Sequence, residues 1–152
     1  MGLDMYLTMK YYIGAEYEWN KITGTVDIYA DGQKIPIELK DVKSISVEVA
    51  YWRKVNQIHK WFVDNVQAGE DDCREYYVSD EQLKELIAIC KKVLENHDLA
   101  DELLPTQDGF FFGPTEYAEY YYQCLEDTIA QLSKLDLSGE NYKISYYYDS
   151  SW

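Results

Sequence analysis

Both ends of this 152-residue chain alternate with period two. Leu3, Met5, Leu7 and Met9 share one side of the opening segment, with Asp4, Tyr6, Thr8 and Lys10 on the other. Near the close, Tyr142, Ile144, Tyr146 and Tyr148 alternate with Lys143, Ser145, Tyr147 and Asp149. Successive side chains of a strand point to opposite faces, so each pattern marks a half-buried strand. Such strands need an apolar layer over their inner face, and the residues between them must supply it.

Those residues change period. Two short runs, residues 25–30 and 34–39, flank Asp31-Gly32, a pair that tolerates positive φ and so predicts a hairpin. A short strand over 42–47 follows. Val47, Tyr51, Val55, Ile58 and Phe62 then recur at helical spacing up to Val66, and Gly69 ends the pattern as a C-terminal cap residue does. Ser79 with Gln82 three residues later is a capping box, and Leu83, Leu86, Ile87, Cys90 and Leu94 form the apolar stripe of a second helix. Gly113-Pro114 is expected to open a third helix, with Tyr117, Tyr121, Cys124, Thr128, Leu132 and Leu135 on its buried face, running to about Lys134. The expected fold is α+β: a small antiparallel sheet of the N- and C-terminal strands plus the hairpin, with three helices packed on one face. No repeat or linker divides residues 1–152, so one domain is expected.

Hydrophobic residues make up 47% of the chain, enough for a core, and 16 tyrosines argue against disorder. Against 28 Asp and Glu stand 14 Lys and Arg, a net charge of -14. Residues 1–67 hold nine acids and eight bases, 68–133 hold 16 and four, and 134–152 hold three and two, so the regional charges are -1, -12 and -1. Direct binding to nucleic acid or an anionic membrane is disfavoured by this field, and a basic protein is its natural partner. No apolar run reaches the ~18 residues of a membrane span, and the first ten residues do not resemble a signal peptide. Three cysteines without a C-x-x-C pair point to a reducing, cytoplasmic setting rather than a disulfide framework.

No Lys or Arg occurs between Val93 and Ser133, where Asp98, Asp101, Glu102, Glu116, Glu119, Glu126 and Asp127 all lie. Tyr120, Tyr121 and Tyr122 are consecutive on a helix, so at ~100° per residue they cannot all enter one core. Phe110, Phe111 and Phe112 sit between Gly109 and Gly113 on what is otherwise a turn. Tyrosine and phenylalanine anchor protein interfaces, so Tyr120, Tyr122 and Phe111 join these seven acids as a candidate partner-binding surface. A solvated acidic face, with the Phe run plugging the core, fits the same residues. Glu116, Glu119 and Glu126 would be spaced by about 4.5 and 10 Å along the helix, too sparse for one helix to copy the charge spacing of DNA.

Enzyme signatures are missing: there is no Gly-rich phosphate loop, G-x-S-x-G or H-E-x-x-H, and only two histidines serve as general bases. A non-enzymatic protein is therefore expected. His59 lies on the first helix with no His or Cys four residues away, the pattern of a structural histidine. Cys73, among Glu70, Asp71, Asp72 and Glu75, stands outside the apolar stripes that hold Cys90 and Cys124. Should His59, Cys73, Asp71 and Asp72 converge, they would offer the mixed N, S and O donors that Zn²⁺ accepts. Arg53, Lys54 and Lys60 are the one plausible anion cradle, which leaves a nucleotide-signal binder as an alternative, with a metal-dependent enzyme beside Cys73 as another.

Several motifs carry a resemblance: Met-Gly-Leu-Asp-Met-Tyr-Leu at the start, Ala-Tyr-Trp-Arg-Lys-Val-Asn-Gln-Ile-His-Lys-Trp-Phe over Ala50 to Phe62, the Asp71-Asp72-Cys73 loop, the Leu104 to Gly113 segment and the closing Ser-Ser-Trp. Together they resemble an uncharacterised family of small acidic bacteriophage and prophage proteins; residues 13–42 do not match. No catalytic residue comes with that resemblance. It implies a bacterial host cytoplasm and an inhibitor of host defence, of which anti-CRISPR proteins that obstruct an RNA-guided nuclease are the leading example. Such nucleases hold guide and target in a positively charged channel, the partner the charge distribution favours.

Overall fold

Leu3, Met5 and Leu7 are fully buried, and the strand that carries the last two, β1 (Asp4–Tyr12), lies inside a four-stranded antiparallel sheet. A computed structural model of the chain describes residues 2–20 and 22–152; Met1, part of the opening motif, lies outside the described residues. The strands β4 (Ser44–Arg53), β5 (Tyr76–Val78) and β6 (Ile144–Ser151) complete the sheet in the order β4-β1-β6-β5. Across it the register sets Trp52 and Ser150 beside Met5, and Ala50 and Tyr148 beside Leu7. These residues form one buried row because alternate residues share a face.

Helices α1 (Asn56–Asn65), α2 (Asp80–Glu95), α3 (Ala100–Leu103) and α4 (Glu119–Leu132) pack against that row, so the fold is α+β. Ser79 and Gln82 cap α2 reciprocally, as their spacing predicts, and Leu83, Leu86, Cys90 and Val93 are its buried stripe. On α4 the buried face is Tyr121, Cys124, Leu125, Thr128 and Leu132. Trp52 joins it to the sheet, donating its indole N–H to the Thr128 hydroxyl at 2.9 Å. Among the described residues no helix is long and apolar enough to cross a membrane.

Four expectations are corrected. The first helix begins at Asn56, not Val47: residues 44–53 are strand β4, which absorbs the short strand expected over 42–47. The spacing of four that joins Val47, Tyr51 and Val55 fits a helical period and is also a multiple of two. Pairing with β1 decides it, while a bulge opposite Leu7 and Thr8 shifts the alternation. Secondly, the hairpin stands apart, with β2 (Ile28–Ala30) and β3 (Gln33–Ile35) pairing only with each other around Asp31 and Gly32, both at positive φ. Its place in the main sheet is taken by β4 and by β5, which was not foreseen.

Thirdly, α4 starts at Glu119 rather than at Gly113-Pro114, because Gly113 lies at φ +100° and crosses the backbone of Lys54 too closely to turn helical. The fourth concerns Tyr142, which is exposed beyond the start of β6 rather than part of its inner row.

Two glycines separate backbone freedom from crowding. A Cβ at Gly32 (φ +75°) would meet open space, whereas one at Gly113 would stand 2.4 Å from the Lys54 carbonyl oxygen. Gly32→Ala is expected to cost about 1 kcal/mol and Gly113→Ala about 3 kcal/mol or more, compared by urea denaturation.

Candidate functional site

The His59 side chain is completely buried, and both of its ring nitrogens are engaged. Placed on α1, it meets the Tyr148 hydroxyl of β6 at 2.7 Å through Nδ1 and Asp71 Oδ1 at 2.9 Å through Nε2. A neutral ring satisfies both contacts when Nε2–H donates to the carboxylate and Nδ1 accepts from the phenol. Gln107 donates to the other oxygen of Asp71 at 3.2 Å. The fully buried Asn56 accepts from the Gln107 backbone N–H at 3.0 Å and donates to the carbonyls of Phe112 and Pro114 at 3.2 and 2.9 Å. Tyr148 lies flat on Phe62 with ring centroids 3.9 Å apart, and Phe112 stands edge-on to His59 at 5.5 Å. One buried network thus ties α1, β6, the loop after α1 and the segment before α4.

Burial pushes the His59 ring below its ordinary pKa, and the neighbouring Asp71 carboxylate only partly offsets that. Burial likewise holds the Tyr148 phenol well above its usual value. The network holds four segments together: α1, β6, the loop after α1 and the segment before α4.

Of the four expected metal ligands, His59 and Asp71 come together. Asp72 turns to Arg74 Nε at 2.7 Å and to the Tyr76 hydroxyl at 3.0 Å, while Cys73 is exposed on the loop. Among the described residues no three His, Cys, Asp or Glu side chains converge as a metal-binding set. Cys90 and Cys124 are buried in their helical stripes, and burial pushes the Cys90 thiol up to about 12.

Asp98, Asp101, Glu102, Glu116, Glu119, Glu126 and Asp127 are all exposed, and among the described residues none forms an ion pair with Lys or Arg. Tyr117 donates its hydroxyl to Asp101 at 2.8 Å and sets its ring against Tyr121, bringing α3 beside the start of α4. Glu119 and Glu126 crown the outer crest of α4. The aromatics divide: Tyr120 and Asp127 border a cleft against β4 with Arg53 and Gln131, while half-buried Tyr122 is stacked on His97 at 3.7 Å. In the Phe run, Phe112 is buried, Phe110 is 80% exposed, and Phe111 is exposed at φ 63°. Among the acids of residues 70–75, Arg74 pairs with Glu70 and Asp72 and Lys10 with Glu75, while Asp71 accepts a hydrogen bond from the neutral His59.

That cleft, and a second beside Lys60, Trp61, Glu102 and Pro105, each hold about 160 Å³. A small-molecule site is usually a cleft of about 300 Å³ or more. Of the expected anion cradle, Arg53 is bound to Asp4 and Lys60 to Asp64, while Lys54 forms no ion pair among the described residues.

Sequence reasoning missed Tyr148, Gln107 and Asn56. The alternation of β6 places Tyr148 on the inner face, but nothing local to it names a partner 89 residues away. Comparison with protein-family models, curated proteins and solved structures finds no match to this chain.

A histidine whose folded pKa is depressed makes its full contribution above its unfolded value of ~6.5; stability falls as the pH drops below that value, because only the unfolded chain takes the proton. The unfolding free energy is therefore expected to decline between pH 7 and 5 by up to ~1.4 kcal/mol per pH unit more in the wild type than in His59→Phe. Denaturant titrations at several pH values measure the difference in slope.

Proposed function

We propose that this protein is a non-enzymatic binder that docks the acidic side formed by α3 and the outer crest of α4 on a cationic protein surface. The observation that carries the reading is that seven carboxylates on α3, α4 and the segments flanking them are all exposed and have no Lys or Arg partner among the described residues. A one-signed surface destabilises its own fold by repulsion and gains by speeding encounter with the opposite sign. RNA-guided nucleases hold guide and target in a broad cationic channel, and the resemblance to phage-borne proteins favours such a nuclease of the bacterial host as the partner. Tyr120, beside Asp127, supplies an exposed aromatic anchor at the edge of this surface. A small-ligand role has less support, given the size of the two clefts.

Binding to a purified RNA-guided nuclease, followed at low and high salt, tests the proposal. Affinity is expected to fall roughly tenfold or more as salt rises, and the combined Glu116→Lys, Glu119→Lys, Glu126→Lys variant to lose binding by at least about as much. Equal affinity of variant and wild type removes the acidic side from the interface, and absence of binding removes the nuclease.

A further inference from the structure

Among the described residues the helices cover one face of the sheet. Its other face bears Asp4, Tyr6, Thr8 and Lys10 of β1, Glu48 and Tyr51 of β4, Tyr147 and Asp149 of β6, and Tyr77 of β5. Antiparallel sheets often leave one face to water, and such faces are then polar. Four tyrosines here, of which Tyr77 is 60% and Tyr51 38% exposed, make this one largely aromatic.

The register fixes how these groups are arranged. Tyr6 has Tyr51 on one side and Asp149 on the other, and two residues along β1 Thr8 has Glu48 and Tyr147. Glu48 and Asp149 thus occupy diagonal corners, two strands apart and two residues offset, about 12 Å by strand spacing and rise, around a floor formed by the Tyr6 ring and the small Thr8 side chain. Tyr6 and Tyr51 lean together with centroids 5.5 Å apart, and Tyr77 stands edge-on to Tyr147 at 5.9 Å.

Charge on this face is unbalanced at those two corners. Asp4 is held by Arg53 and the Tyr51 hydroxyl, and Glu75 by Lys10 at 2.5 Å. Glu48 and Asp149 form no ion pair among the described residues. Partial burial, and after it Glu75 and Glu48, push the Asp149 carboxyl up, with Lys10 working against them. The protein's own Lys10 lies over the Tyr147 ring at 4.2 Å, so this surface already holds one cation by a π-face.

We propose that the helix-free face of the sheet binds an arginine-bearing segment of a protein partner, with guanidinium groups lying on Tyr6 and Tyr147 and pairing with Glu48 and Asp149. Arginine fits better than lysine because its planar group stacks on an aromatic ring while its N–H fork meets a carboxylate. A nucleic acid is disfavoured by the same two carboxylates. This surface meets α4 at the cleft that Tyr51 shares with Tyr120 and Asp127, and its proposed binding does not depend on the acidic α3–α4 side.

A synthetic Arg-Ser repeat peptide is the probe, with a Gly-Ser peptide of equal length as the control, and binding is followed by NMR of the full-length protein. Shifts confined to β1, β4 and β6 are expected with the arginine peptide only. Glu48→Gln combined with Asp149→Asn should weaken binding roughly tenfold or more, as should Tyr6→Ala, whereas Tyr6→Phe, which keeps the ring, should bind as the wild type. Circular dichroism of each variant confirms its fold, and the triple Lys variant of α4 and its preceding loop should retain the interaction. Binding that survives the Glu48 and Asp149 changes, maps to α4, or fails to occur overturns the proposal.

Discussion

The ring of Tyr148 lies flat on Phe62 while its hydroxyl rests on His59, and this contact joins the last strand to the first helix. The helical layer is positioned from there. His59 reaches Asp71, Asp71 holds Gln107, and Gln107 meets Asn56, so the loop after α1 and the segment before α4 are placed by the same buried network. Each buried polar atom in that circuit has a partner, which is the condition under which a polar core specifies one arrangement rather than weakening it. The segment that leads into α4, and with it the acidic crest, is placed by a network buried at His59, Tyr148 and Asn56 that reaches solvent at Asp71.

Two different surfaces result. The helical side carries the charge at helix crests and loops, where repulsion is eased by solvent and, among the described residues, no Lys or Arg pairs with the seven carboxylates. The open sheet face carries aromatic rings with a few carboxylates between them, held at strand spacing by the ladder beneath. The first suits long-range attraction, which is weakly directional; the second suits short-range recognition, because its groups are fixed to a rigid lattice.

Local signals were legible in the sequence. The Ser79 and Gln82 box, the Asp31-Gly32 turn and the alternation of β1 and β6 each depend on neighbours a few residues away, and each is found in place. Longer-range features were not. Val47 and Tyr51 satisfy two periods at once, so only pairing with β1 identifies β4 as a strand. Gly113-Pro114 has the composition of a helix start, yet Lys54, distant in sequence, occupies the space a helical turn there would need. His59 and Asp71 were expected to meet over a metal and do meet, with Tyr148 and Gln107 rather than Cys73 completing the set. Alternation placed Tyr6 and Tyr147 opposite the core but gave no indication whether a second layer covers them.

The central position of β1 also governs the order of assembly. Its neighbours are β4 and β6, so β1 pairs on one side with a strand synthesised long after it. Pairings such as Leu7 with Tyr148 close a loop of nearly the whole chain, and such closures slow folding. Until synthesis reaches β6, the apolar row Leu3, Met5, Leu7 has an open flank, and during that interval the nascent chain is most exposed to mispairing with another copy.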